Sequence, residues 1–179
     1  MNDRTFVTGF RAFGSIAENP SAKLAESCGR PFQTLEVAYR AVDDFLVGLD
    51  PNKFDRLLMI GVAAGRDRIA PELLARNFIG KTPDVRGFAP MGFIDANGPM
   101  LLPSTLWTPE IEAEIVIDVP HTKISMDAGR YLCNYISYRT LQEFPDKKVG
   151  FLHVPPVEKL SLESQQKCLD AILSIVERL

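Results

Sequence analysis

Positive charge is scarce in this chain. Lysine and arginine total 20 against 23 aspartates and glutamates, the net charge is −3, and no basic run exceeds two residues. A phosphate backbone or an anionic lipid surface needs a basic face, so nucleic acid and membrane surfaces are excluded as expected partners. Long apolar runs are absent as well. Met1 to Arg4 is polar and runs into a short apolar segment, without the apolar stretch expected of a secretory signal or the roughly 20 apolar residues of a membrane span. The expected location is the cytosol. Cysteine is limited to Cys28, Cys133 and Cys168, far apart and without a CxxC pair. Neither a disulfide framework nor a metal site is expected, and the thiols should be reduced. Histidine is scarcer still, with only His121 and His153. Imidazole titrates nearest neutrality, so any histidine-dependent proton transfer must use one of these two.

What is present is the balance of a globular domain: 179 residues, 46% hydrophobic and 24% charged. One domain spanning 1–179 is expected. Thr5–Thr8, Glu36–Arg40 and Arg56–Val62 are apolar runs bounded by polar or glycine residues and read as strands. Asn19-Pro20-Ser21 supplies a cap and a first-turn proline for a helix over 20–28, stopped by Gly29. A second helix is expected at Val42–Leu49. A third runs from Ala128-Gly129 onward, with Leu132, Ile136 and Thr140 four apart. Ser161 caps a last helix whose stripe is Leu162, Leu169, Ile172, Val176 and Leu179. The segment 109–119 alternates like a strand but begins with Thr108-Pro109, which favours a helix. Between residues 80 and 108, repeated Gly, Pro and Asn predict one long loop region, and loops of that length are usually functional or interfacial. Strands alternating with helices predict an α/β fold: a three-layer sandwich with a twisted, largely parallel central sheet flanked by helices.

Three positions carry chemistry. Cys133, in Gly129-Arg-Tyr-Leu-Cys-Asn, falls in the first turn of a predicted helix, where free backbone N–H groups and the helix dipole stabilise a thiolate. Its plainer reading is a small buried hydrophobe, which is the reading for Cys28 and Cys168. His153 closes the apolar strand Val149-Gly-Phe-Leu-His-Val-Pro, at a strand end where α/β folds commonly place reactive groups. His121 follows Pro120 in a turn and should be solvated. Gly61-Val-Ala-Ala-Gly-Arg leads from a strand to Ile69-Ala-Pro-Glu72; it lacks the lysine of a phosphate loop and does not fit GxGxxG. Glu72 could instead hold the second nitrogen of an imidazole, or simply be a surface acid.

Taken together, these segments form a pattern. Thr8-Gly-Phe-Arg-Ala-Phe-Gly with Asn19-Pro-Ser resembles the opening of the pyroglutamyl peptidase I family of cysteine peptidases. Gly61–Asn77 is similar to its glutamate motif, Ser125–Asn134 to its cysteine motif, and Gly150–Pro155 to its histidine motif. The motifs occur in the family's order across residues 8–155. The resemblance implies hydrolysis of an N-terminal pyroglutamyl residue by a triad of Cys133, His153 and Glu72. It also implies a slot in which Phe10 and Phe13 sandwich the lactam ring, while Asn19 and backbone near Tyr131 and Leu132 bind its amide and carbonyl. The implied partners are small peptides with N-terminal pyroglutamate; a homo-oligomer is admitted, and no cofactor is required. Two rival readings remain at this point: a family member that binds the cyclic ligand without turnover, and a hydrolase of the same fold acting on another small amide. The second gains if Phe10 and Phe13 face the core.

Overall fold

The computed structural model describes residues 4–14 and 18–178. Leu179, expected to end the last apolar stripe, and the polar Met1–Asp3 lie outside the described residues. A five-stranded sheet has the order β2-β1-β3-β7-β4. Strands β1 (Thr5–Phe10), β2 (Phe32–Leu35), β3 (Arg56–Val62) and β7 (Lys148–Val154) are parallel, and β4 (Ala70–Glu72) runs antiparallel against β7. β5 (Leu74–Arg76) and β6 (Leu101–Pro103) form a separate antiparallel pair.

Among the described residues five α-helices cover the two faces: α1 (Pro20–Ser27), α2 (Tyr39–Gly48), α3 (Pro109–Asp118), α4 (Leu132–Glu143) and α5 (Leu162–Arg178). The strand period of two sorts the core cleanly. Val7, Leu58, Ile60, Leu152 and Val154 pack against α1, α3 and α5. Phe10, Leu57, Met59, Val149 and Phe151 pack against α2 and α4. The arrangement is a mostly parallel α/β sandwich of three layers, as expected.

Particular expectations shift. The strand anticipated at 36–40 lies upstream at Phe32–Leu35, and Tyr39 already opens α2. Val37, Ala38 and Tyr39 are buried by packing under that helix, which is why they mimic a strand, whereas Phe32 and Gln33 are exposed on the sheet edge. The third helix starts at Leu132, after an irregular lead-in through Gly129. The ambiguous 109–118 segment is helical, with Thr108 Oγ1 accepting from Ile111 N at 3.4 Å. The long loop region contains β6 and is held by two buried polar residues, Asn77 just before it and Asp84 within it. Asn77 bonds the backbone of Ile94, Asp95 and Gly98. The Asp84 carboxylate accepts from Tyr39 N, Arg86 N and Phe88 N. Burial alone would raise the Asp84 pKa, yet these three donors hold it below the ordinary carboxylate value.

The chain reverses direction across the sheet between β1, whose crossover leads to β2, and β3, whose crossover leads toward β7. In open α/β sheets the crevice beyond the carboxyl ends at such a switch is the usual binding position. The loop 11–14 follows β1, the glycine-rich segment 61–66 ends β3, and His153 sits near the end of β7.

Candidate active site

Three side chains converge on the face covered by α4. His153 lies on the same face of β7 as Phe151, and Ala70 of β4 sits directly opposite it, so a small residue leaves the imidazole room. Glu72, two residues on, points the same way. Its Oε1 lies 2.6 Å from His153 Nδ1. The Cys133 side chain adjoins the same imidazole, and with Nδ1 held by Glu72 the nitrogen left for the sulfur is Nε2. Exposure is 3% at Glu72 and 5% at His153. Burial by itself would lower the histidine pKa. The adjacent sulfur, by charge and hydrogen bond, and then Glu72 outweigh it and carry His153 up to about 9. An imidazole so placed holds a proton at neutral pH beside the Cys133 sulfur.

Cys133 is the second residue of α4, and its approach to β3 depends on a missing side chain. A methyl on Gly61 would lie 2.9 Å from Cys133 Sγ and 2.7 Å from Phe151 Cζ, both inside van der Waals contact. The helix end differs from the others. Asn19 caps α1, Asp84 reaches the first N–H of α2, Thr108 caps α3 and Ser161 Oγ accepts from Ser164 N at the start of α5. Tyr131, at the cap position of α4, provides no side-chain cap. First-turn N–H groups beside Cys133 are therefore without a side-chain cap among the described residues.

Arg66, which the sequence reading quoted within its motif without a role, reaches into this centre. Its Nη2 lies 2.7 Å from Glu72 Oε1, 3.0 Å from Ser125 Oγ and 2.8 Å from the Asp127 carbonyl. Glu72 Oε2 is buried without a hydrogen-bond partner among the described residues. No cluster of three or more potential metal ligands occurs among the described residues.

The anticipated pocket residues sit around this centre unequally. Phe10 is 3% exposed and belongs to the aromatic core, whereas Phe13 is half-buried at its rim. Asn19 is buried; besides capping α1, its Nδ2 donates to the Arg11 carbonyl at 3.1 Å and so holds the loop between the two phenylalanines. Tyr131 is half-buried, and its hydroxyl donates to the Pro83 carbonyl at 3.1 Å; Leu132 is buried. His121 is exposed and Cys28 and Cys168 are buried in the opposite core.

Comparison with known proteins decides the family. Residues 3–177 match the family described as pyroglutamyl peptidase. The chain belongs to that family. A pyrrolidone-carboxylate peptidase of Oceanobacillus iheyensis is 31% identical over 173 residues, covering 89% of this chain and 87% of that protein. Among solved structures, a mutant pyrrolidone carboxyl peptidase from Pyrococcus furiosus superposes with a TM-score of 0.87 at 26% identity, covering 97% of both chains. The pyroglutamyl peptidase I of Bacillus amyloliquefaciens gives a TM-score of 0.91 at 24% identity, covering 99% of this chain and 98% of that one, a likeness of fold. Within the pyroglutamyl peptidase family this chain thus has relatives matched along nearly its whole length. What sequence reasoning missed is the support around the expected triad: the antiparallel β4 that carries Glu72, the Gly61 clearance and the Arg66 contact.

Proposed function

We propose that this pyroglutamyl peptidase homologue removes N-terminal pyroglutamate from small peptides, with Cys133 as nucleophile, His153 as general base and acid, and Glu72 orienting the imidazole. The observation that carries the reading is the row Glu72, His153, Cys133 on one face of the sheet, with Glu72 hydrogen-bonded to His153 and Cys133 beside the imidazole at a helix start without a side-chain cap. His153 holds the proton taken from Cys133, and the thiolate attacks the pyroglutamyl carbonyl. Backbone N–H groups of the first turn of α4 and the glycine-rich segment face the oxyanion. Protonated His153 then gives its proton to the departing amine. Water, activated by the same imidazole, cleaves the thioester and releases pyroglutamate.

Phe13 supplies an apolar wall for the lactam ring, Phe10 backs it from the core, and Asn19 with the backbone at Tyr131 and Leu132 serves its polar edge. Pyroglutamate carries no ammonium, so such a slot accepts it while an ordinary amino terminus would enter only by losing its hydration. The reading includes a single catalytic domain without metal or organic cofactor. It also includes a cytosolic location, with which three free cysteines agree; among the described residues no helix is long and apolar enough to cross a membrane.

The test is hydrolysis of a fluorogenic pyroglutamyl amide by wild type and by Cys133→Ala. Wild type should turn over, and the variant should lose roughly 10⁴-fold or more in kcat. A wild type that binds the amide without cleaving it would favour a non-catalytic binding role.

A further inference from the structure

Glu72 is asked to do its orienting work with one oxygen. Oε2 has no hydrogen-bond partner among the described residues, so Oε1 alone meets His153 Nδ1 at 2.6 Å and Arg66 Nη2 at 2.7 Å. A carboxylate held by a single contact is free to rotate about its terminal torsion, which is a broad and soft one. A hydrogen bond from the imidazole and an ion pair with the guanidinium on the same oxygen restrict that freedom, because rotation disturbs both at once. Arg66 is itself fixed. The same nitrogen donates to Ser125 Oγ and the Asp127 carbonyl, and Ser125 is stitched to β4 on both sides, through Ser125 N to Pro71 O at 2.9 Å and Leu73 N to Ser125 O at 2.7 Å.

Charge points the same way. Glu72 is 3% exposed, and a buried carboxylate needs a paired cation or a dense set of donors. Of the groups that reach His153, Cys133 comes from α4 and Glu72 from β4; Arg66 meets the same Glu72 oxygen, from the segment that follows β3. With the thiol and imidazole as an ion pair, the row Arg66, Glu72, His153, Cys133 alternates in sign and sums to zero.

We infer that Arg66 is a positioning residue of the catalytic unit, locking the Glu72 carboxylate and through it the orientation of His153, and tying the strand that carries Glu72 to the loop that delivers Cys133. The inference rests on the triad assigned above, but its effect is readable without turnover. Arg66 acts through Glu72, so its loss lowers kcat and the reactivity of the thiol while KM stays put.

The experiment compares Arg66→Met and Arg66→Lys with wild type in three readouts: kcat and KM on the pyroglutamyl amide, the rate of Cys133 alkylation by iodoacetamide at pH 7, and the melting temperature. Arg66→Met should lose about 10- to 100-fold in kcat, the scale of a small misplacement of a catalytic group, with KM within about twofold and alkylation slowed in parallel. Arg66→Lys keeps the charge and three donors at one nitrogen on a shorter, more flexible stem, and should fall between the two. Should Arg66→Met not fold, the lysine variant decides alone: alkylation at least about threefold slower than wild type supports the inference. Equal kcat and equal alkylation rates in wild type and every folded variant would overturn it and leave Arg66 a structural ion pair. If wild type fails to cleave the amide while Cys133 alkylation still depends on Arg66, the peptidase reading falls and the positioning role stands.

Discussion

The two faces of the sheet are built by the same alternation but from different residues. The face under α1, α3 and α5 is almost entirely aliphatic, with Val7, Leu58, Ile60, Leu152, Leu169 and Ile172 at its centre. The face under α2 and α4 is aromatic, with Phe10, Tyr39, Phe45, Phe54, Tyr135, Tyr138 and Phe151. Three of its neighbouring tyrosine hydroxyls bond outward: Tyr131 to the Pro83 carbonyl, Tyr135 to Asp43 and Tyr138 to the Pro99 carbonyl. Rings with polar tips bury area and still anchor loops, which aliphatic side chains cannot do. The cysteines divide the same way. Burial pushes the Cys28 and Cys168 thiols up on the aliphatic side, whereas Cys133 lies beside an imidazole on the aromatic side. One face holds the sheet together and the other builds on it.

If that division is real, substitutions on the two faces should separate stability from turnover. Ile172→Ala, deep in the aliphatic core, should cost about 2–5 kcal/mol of stability and leave kcat/KM of the folded protein unchanged; denaturant unfolding and the amide assay on the same sample measure both. Gly61→Ala should behave the opposite way. Its methyl would press on Cys133 Sγ and the Phe151 ring. We expect a loss of about 100-fold in kcat, with a stability change of about 1–3 kcal/mol. A Gly61→Ala enzyme with full activity would mean the sulfur has room the structure does not provide.

Phe13→Ala tests the rim. A half-buried ring that contacts substrate should cost roughly 1–3 kcal/mol in kcat/KM with a small change in melting temperature. A variant that melts early yet cleaves normally while folded would move Phe13 from the site to the core.

The smallest expected effect is in pH. His153 is raised from about 6.5 to about 9, so the folded state binds this proton more tightly than the unfolded state. Its contribution to stability is therefore complete below about pH 6.5 and is lost as pH rises through about 9. Glu72→Gln removes one source of the elevation. The melting temperature of that variant should fall less steeply than that of wild type between pH 6.5 and 9, and calorimetry across the range reads the difference.

Much of this was legible in the residues. Caps at Asn19, Thr108 and Ser161 mark helix starts because a short polar side chain has one well-defined use there. Central strands β3 and β7 are buried on both faces and read as continuous apolar runs. Edge elements were not legible. β2 is half exposed and therefore lacks the pattern, and β4, β5 and β6 are each three residues long and exist only because a partner strand is nearby. At the site, the motif residues could be named in advance, but Arg66 could not be given a role, since its meaning is a distance to Glu72 rather than a spacing.

The register of β3 against β7 has a consequence for how the protein comes into being. Arg56 to Val62 pair with Lys148 to Val154, so the central strand pair of the sheet closes across about half of the chain. Glu72 and His153 are 81 residues apart. Local elements such as β1, α1 and β2 can assemble early, but long loop closure delays the insertion of β7 between β3 and β4. During synthesis the ribosome must release residues beyond Val154 before the imidazole can meet either partner. An incomplete chain therefore cannot bring Glu72, His153 and Cys133 together. Recovery of activity after dilution from denaturant should accordingly follow the last folding phase rather than the first.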